Sequence, residues 1–328
     1  YENLRYISKE IYDNWFRSHP EPGDIILTLK GSQNGAVCLI PNPVNFAIAQ
    51  DMVALRADES VIDSLYLFAA LRSPDVQAQI KNLDVSGVIP HLKKSDFDKL
   101  ILPYPRRKVQ ENIGQIYFSL SNKIDLLKRQ NTTLEKMAET LFRQWFVLEA
   151  KEDWEDSNLG EAIEIYDNLR IPLSKMERDK KKDGLLYPYY GAAQIMDYIN
   201  DYIFDGEYIL LGEDGTVRTD EGYPVLQYAT GKFWVNNHTH VLKAKSPYNN
   251  FFIWNYLKKK NIDEIVTGAV QPKINQANLK SIDFPKYPEN LVNEFNKISE
   301  PFFMKINQNK TQIRTLTALR DTLLPKLM

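Results

Sequence analysis

The sequence predicts an α+β protein of two strand-rich domains and two long helices that pair with each other. Three observations predict it: an internal repeat at an offset of about 182 residues, alternating apolar and polar stretches near the start of each copy, and a heptad pattern at the end of each copy. A length of 328 residues suits about two domains at roughly 150 residues each. A hydrophobic content of 43% is enough to build packed cores.

The repeat is carried by ordered landmarks. Gly23-Asp24-Ile25-Ile26-Leu27 matches Gly206-Glu207-Tyr208-Ile209-Leu210 with a one-residue slip. Gly87-Val88-Ile89-Pro90-His91-Leu92 matches Gly268-Ala269-Val270-Gln271-Pro272-Lys273-Ile274, and each is followed by an apolar stretch ending in prolines, Leu100 to Pro105 and Ile282 to Pro288. Lys123-Ile124 matches Lys305-Ile306, and Thr140-Leu141-Phe142 matches Thr322-Leu323-Leu324. A period this long is a duplicated domain and not a solenoid.

Within each copy, residues 24–29, 46–55 and 233–242 alternate as strands do, and Gly31 to Gly35 and Gly212 to Gly215 mark tight turns between them. Short helices are expected over 60–71 and 249–260. The first long helix is expected from about Gln110 to Phe146. Ile113, Leu120, Leu127, Leu134 and Leu141 form one heptad row, and Tyr117, Ile124, Asn131, Ala138 and Trp145 form the other. In the second copy Phe295, Phe302, Leu316 and Leu323 go with Ile306, Ile313 and Leu327. Asn131 and Asn309 interrupt the two seams at equivalent positions, where a polar residue fixes register at a cost in stability. Pro301 is expected to start or kink the second helix. Burial of each helix on an ordinary globular core is the other reading; two matched seams in one chain favour mutual pairing.

The sequence is poor in catalytic motifs. Thr230-Gly231-Lys232 lacks the upstream glycine of a nucleotide-phosphate loop, and there is no GxGxxG. Asn42-Pro43-Val44-Asn45-Phe46 lacks the second proline of an amino-methyltransferase tetrad. Glu149-Ala150-Lys151 fits a fragment of a nuclease motif but stands in an acidic linker. His238 and His240 would share one strand face as a possible metal pair, yet no third ligand stands nearby, and hydrogen-bonding histidines are the plainer reading; His19 and His91 have no partner pattern. Cys38 is the single cysteine, so no disulfide within the chain and no thiolate cluster can form, which fits a reducing cytoplasm. There is no apolar run near 18 residues, and residues 1–12 carry no signal-peptide core.

Binding features are better developed. The formal charge of −2 argues against nucleic acid at first sight, but local distribution decides binding. Lys175, Arg178 and Lys180 to Lys182 form a basic run before Tyr187-Pro188-Tyr189-Tyr190-Gly191, and 18 tyrosines suit a recognition surface. Lys30, Gln33 and Asn34 sit on a tight turn, and amide side chains can bond adenine in two places. Turn position and side-chain chemistry nominate Lys30, Gln33, Asn34, Lys175, Arg178, Tyr189, Tyr190, Arg218 and Lys232 as DNA-facing. For the basic run the bland alternative is a solvated charged loop, and for the Lys30 to Asn34 turn a plain hairpin turn. Helix pairing is assigned to Leu120, Leu127, Asn131, Leu134, Leu141, Ile306, Ile313, Leu316 and Leu323.

Two strand-rich domains, each followed by a long helix, resemble the specificity subunits of Type I restriction-modification systems. The segments Pro188 to Ala192, Trp234-Val235-Asn236-Asn237-His238-Thr239-His240-Val241, Gly268 to Ile274, and the helix ending Phe142-Arg143-Gln144-Trp145-Phe146 carry the resemblance, which covers essentially the whole chain. It implies target-recognition domains at 1–105 and 149–286 and long helices at 106–148 and 287–328. Each domain would read one half of a split DNA target, and the helices would form an antiparallel coiled coil acting as a ruler. The chain itself would be no enzyme and bind no cofactor or metal. Two methyltransferase subunits would dock on it and carry S-adenosylmethionine, and a motor-nuclease subunit would join for cleavage. The first copy lacks a counterpart to residues 149–182, so the first recognition domain is expected to be N-terminally incomplete. The rival readings are the recognition part of a fused restriction-methylation enzyme and a coiled-coil interaction scaffold.

Overall fold

The computed structural model describes residues 5–16, 18–48, 50–84, 89–151, 154–268 and 270–327. Gly87, Val88 and Ala269, part of the repeat landmarks above, lie outside the described residues. The chain folds as two units, Tyr1–Arg129 with Asn309–Met328 (unit 1) and Gln130–Gln308 (unit 2), so that each long helix belongs in part to both.

In unit 1 a short helix α1 (Lys9–Trp15) precedes strands β1 (Ile25–Thr28), β2 (Val37–Leu39) and β3 (Met52–Leu55), which form an antiparallel sheet in the order β2-β1-β3. The strand expected over 46–55 is shorter, because Asp51 takes a left-handed backbone (φ 67°) and ends the extended run. Phe46 and Ile48 instead pack on Ile26 and Ile40. Helices α2 (Ser64–Leu71) and α3 (Pro74–Asn82) cover the other face. Asp63 and Ser73 cap them by accepting from the Tyr66 and Val76 N–H groups, and Pro74 occupies a first-turn position that wants no donor.

The first long helix, α4 (Arg107–Arg143), passes the start of α2 at close range. A Cβ built at Gly114 would stand 2.5 Å from the Tyr66 backbone nitrogen and 2.7 Å from the Leu65 carbonyl carbon. Glycine here is a packing requirement, since the atoms it spares are backbone and cannot rotate away. Gly114→Ala is expected to destabilise unit 1 by at least ~1–3 kcal/mol. Urea unfolding of the variant checks this, and a midpoint equal to wild type would refute it.

In unit 2, α5 (Leu159–Ala162) leads into β4 (Ile163–Ile165), followed by α6 (Lys175–Asp179), β5 (Tyr187–Tyr190), β6 (Ile195–Ile199), β7 (Phe204–Gly212), β8 (Leu226–Val235), β9 (Thr239–Ala244), α7 (Asn250–Leu257) and α8 (Gln276–Lys280). The sheet order is β4-β9-β7-β8-β5-β6. Its centre, β8-β7-β9, repeats β2-β1-β3 in order and sense. Leu27 pairs with Val37 and Val53, and Leu211 pairs with Leu226 and His240. The expected strand 233–242 is two strands, because the Asn236 side chain accepts from the His238 N–H and turns the chain. Among the described residues unit 1 has no counterpart of β4, which lies in the stretch 149–182 that has no match in the first copy.

The last helix, α9 (Glu289–Leu327), begins just after Pro288 and runs through Pro301, so of the two expected roles, starting the helix or kinking it, Pro301 does not start it. In unit 2, α4 and α9 are antiparallel. Asn131 Nδ2 donates to the Ile306 carbonyl at 3.5 Å, Ala138 packs with Phe303, and Phe142 meets Phe295. In unit 1, Ile113 and Tyr117 of α4 share a core with Leu324 of α9. Of the seam residues named from sequence, Leu127, Asn131 and Ile306 are buried, while Leu120, Leu134, Leu141, Ile313, Leu316 and Leu323 are half-buried. The row through Trp145 is corrected at its end. α4 closes in a π-type turn over Gln144–Leu148, and Phe142 and Phe146 take the interior while Trp145 stays half-buried. A straight 3.6-residue helix drifts off a strict seven-residue stripe, and the large core of unit 2 captures the drifted side.

Candidate nucleic-acid interface

Both units build the same three-part clamp at the end of their central strand. In unit 1, β1 runs through Leu29 and Lys30 into Gly31, which adopts φ +90°. The Gly31 N–H donates to the Pro90 carbonyl at 2.9 Å, the Leu92 N–H donates to the Leu29 carbonyl at 2.8 Å, and Lys30 bridges to His91. In unit 2, β7 runs through Glu213 and Asp214 into Gly215 at φ +78°. The Gly215 N–H donates to the Pro272 carbonyl at 3.0 Å, the Ile274 N–H donates to the Glu213 carbonyl at 2.8 Å, and Asp214 bridges to Lys273. A left-handed backbone is cheap for glycine, which explains Gly31 and Gly215 at the pivot.

The clamp gathers loops that are distant in sequence and leaves polar tips outside. In unit 1, Lys30 and Gln33 are exposed. Asn34 is half-buried, and its Oδ1 is buried with no hydrogen-bond partner among the described residues, so its amide oxygen faces inward. In unit 2 a third loop joins: the Glu213 N–H donates to the His238 carbonyl, and His238 Nδ1 lies 2.5 Å from Asp214 Oδ1. Asn237, His238, Thr216, Gln271 and Lys273 are exposed there, and Val270 stands almost wholly in solvent at the tip.

The remaining residues nominated from sequence divide sharply. Tyr189 and Tyr190 are corrected: both rings are buried. Tyr189 OH accepts from the Leu173 N–H at 3.0 Å, and Tyr190 packs on Phe233, so both are scaffold. Arg178 is also corrected, since its guanidinium bonds Asp197 and the Leu173 carbonyl and lies over the Tyr189 ring. The basic run around it is largely neutralised internally, with Lys181 on Asp201 and Lys182 on Asp197. Lys175 is exposed at the start of α6. Arg218 pairs with Asp263. Lys232 lies 4.4 Å from the Tyr202 ring centre, and its hydrogen bond with Tyr202 pushes its ammonium pKa up. The clamp residues Asp214, Gln271, Lys273 and Asn237 escaped the sequence reading; the repeat landmark at Pro90 and Pro272 was the signal that could have found them.

Beneath the unit 2 clamp lies a buried polar cluster. His240 is 1% exposed; its Nδ1 is 2.6 Å from Asp167 Oδ2 and its Nε2 is 2.8 Å from the Ile274 carbonyl. Arg170 donates to Glu213 Oε2 at 2.6 Å, to the Thr239 carbonyl at 2.7 Å and to the Asn237 carbonyl at 3.3 Å. Asp167 also accepts from the Val241 N–H and from Gln276. Burial pulls the Asp167 carboxyl pKa upward. The hydrogen bond and charge of His240, the Val241 N–H and the Arg170 charge outweigh that and hold it below the usual aspartate range. Asp167, Glu213 and His240 could geometrically face one cation. Both His240 nitrogens already address oxygen acceptors, and Arg170 and Lys273 lie against the carboxylates, so hydrogen bonds and ion pairs hold the cluster together. His238 stands exposed and pairs with Asp214, while His240 is buried on Asp167.

Charge divides unevenly between the units. Unit 1 carries 20 Lys and Arg against 16 Asp and Glu, and unit 2 carries 21 against 27. The near-neutral sum therefore hides a net basic first unit. Among the described residues, no helix is long and apolar enough to cross a membrane.

Comparison with known proteins agrees with the duplication. The model of the Type I restriction modification DNA specificity domain matches residues 15–136 and again 151–290. A Haemophilus influenzae protein, provisionally named a type I restriction enzyme specificity subunit, is 34% identical over 172 residues, covering 52% of this chain but 40% of its own length. The type I restriction enzyme MjaIX specificity subunit of Methanocaldococcus jannaschii is 25% identical over 344 residues, covering 93% of this chain and 77% of that one. The crystal structure of the type I restriction-modification S subunit from M. genitalium shares the fold, with a TM-score of 0.64 at 21% identity over 93% of this chain and 83% of that one. With two matches that together cover well over half of its length, the chain belongs to the family of Type I restriction modification DNA specificity domains.

Proposed function

We propose that this chain is the DNA-reading subunit of a Type I restriction-modification complex and leaves the bond-making chemistry to its partners. The observation that carries the reading is the clamp, built twice with the same backbone bonds but with different exposed side chains: Lys30 and Gln33 in unit 1, Asn237, Gln271 and Lys273 in unit 2. One scaffold with two sets of tips suits two different half-sites. Amide side chains can read adenine edges, and lysines hold phosphates. Methyltransferase subunits, two in number, would bring S-adenosylmethionine and flip the target adenine into their own pockets; a motor-nuclease subunit would complete the restriction form. The work place is the cytoplasm, where genomic DNA is met.

The test is DNA binding by the assembled complex across a salt series. Lys30→Ala and Lys273→Ala should weaken binding to all sequences and flatten the salt slope by about one. Gln33→Ala and Gln271→Ala should each relax one base position, at a cost of about 1–3 kcal/mol against the preferred sequence. Four variants that bind like wild type, with unchanged sequence preference, would sink the clamp as the reading edge.

A further inference from the structure

We infer that the buried Asp167–His240–Arg170–Glu213 cluster is the positioning element for sequence reading by unit 2. The inference rests on the clamp being the DNA-reading edge. Each member holds a different part of that edge from below. Arg170 grips the carbonyls of Asn237 and Thr239 and the Glu213 carboxylate, which joins the 236–239 turn to the end of β7. His240 bonds the Ile274 carbonyl, which joins β9 to the returning loop that carries Gln271 and Lys273. Asp167 receives His240, Gln276 and the Val241 N–H, which ties all three to the turn after β4. Lys273 closes the set from outside, 3.4 Å from Glu213. The loops that carry the exposed amides are thus fixed through charge-assisted bonds to largely buried side chains, where such bonds are directional and strong.

Unit 1 does the same job with other means. The strand position of His240 is held by Val53 there, since Leu27 and Leu211 are equivalent and pair with Val53 and His240 respectively. An apolar core (Ile25, Leu27, Leu29, Leu92) backs that clamp instead. Disturbing the cluster should therefore blur one half-site and spare the other. That asymmetry separates positioning from general damage.

The experiment compares His240→Gln and Asp167→Asn with Gln271→Ala and the wild type, as full chains in the assembled methyltransferase, on duplexes bearing every single substitution in each half-site. Gln271→Ala identifies the half-site that unit 2 reads. Expected for His240→Gln is at least a tenfold fall in discrimination at several positions of that half-site. Discrimination in the other half and the salt slope on non-specific DNA should stay within twofold of wild type. A uniform loss on all sequences together with a lowered Tm would mean a merely structural role and would overturn the inference; Asp167→Asn, which keeps the side-chain shape and one accepting oxygen, guards against misreading a folding failure of His240→Gln. Intact discrimination in both variants, with Gln271→Ala still relaxing one half-site, would overturn the positioning role and leave the reading edge standing. If Gln271→Ala, Asn237→Ala and Lys273→Ala all leave discrimination untouched, the reading edge itself is wrong and the inference falls with it.

Discussion

Replacing Phe146 with alanine is expected to cost unit 2 about 3–5 kcal/mol, the range for emptying a large aromatic site in a core that cannot collapse. Phe146 is 4% exposed. Its ring centre lies 4.9 Å from Phe252, 5.0 Å from Phe142, 5.1 Å from Tyr287 and 5.5 Å from Phe295, most of them edge-to-face. Edge-to-face pairs add about 0.5–1.5 kcal/mol each beyond area burial, so one truncation breaks several at once. The surrounding rings come from α4, α7, α9 and the segment before α9, which leaves no single element free to move in and fill the space. Four of the five tryptophans, Trp145, Trp154, Trp234 and Trp254, belong to unit 2, so denaturant unfolding followed by tryptophan fluorescence reads this transition. A loss below about 1 kcal/mol would show that the hub is looser than its ring distances imply.

That hub also marks where the sequence was legible and where it was not. The seven-residue rows of α4 located the helix and its buried face through Ile113, Tyr117, Ile124, Leu127, Asn131 and Ala138. They failed at the last two turns, because a heptad reading assumes a partner helix all along. From Phe142 onward α9 shares the contact with a globular core, and the π-type turn brings Phe146 inward four residues later. The duplication was legible from glycines and prolines, since Gly31, Gly215, Pro90 and Pro272 are fixed by backbone geometry that side-chain drift does not erase. The tips were not. Tyr189, Tyr190 and Arg178 look like recognition chemistry in one dimension, yet both faces of the sheet are covered at the end of β5: Tyr189 packs with Ile199 and Trp234, Tyr190 with Phe233, and Arg178 is drawn over Tyr189. Composition tells that a side chain can bind; only the packing on each sheet face tells whether it is free to.

Arg170→Ala is the second substitution with a large expected effect. The Arg170 side chain is 12% exposed, and it stands between Glu213 at 2.6 Å and Asp167 at 3.4 Å. Taking away one partner of a buried, hydrogen-bonded charge set costs about 3–5 kcal/mol, chiefly because the remaining carboxylates stay desolvated without their cation. His240 cannot compensate for both, since its nitrogens already serve Asp167 and the Ile274 carbonyl. Adding Glu213→Gln to Arg170→Ala removes one stranded charge and should recover part of the loss, so the two costs will not add. The sign with pH follows from Asp167. Its folded pKa lies below the unfolded value, so its contribution is present above the ordinary aspartate range and is lost as pH falls through the folded value. Arg170 is one of the groups that hold that pKa down, and without it the folded value rises. Acid unfolding of Arg170→Ala, followed by tryptophan fluorescence, should therefore set in at higher pH than in the wild type. An unshifted acid transition with unchanged stability at neutral pH would mean that the carboxylates are hydrated and that the cluster is not the closed network its distances describe.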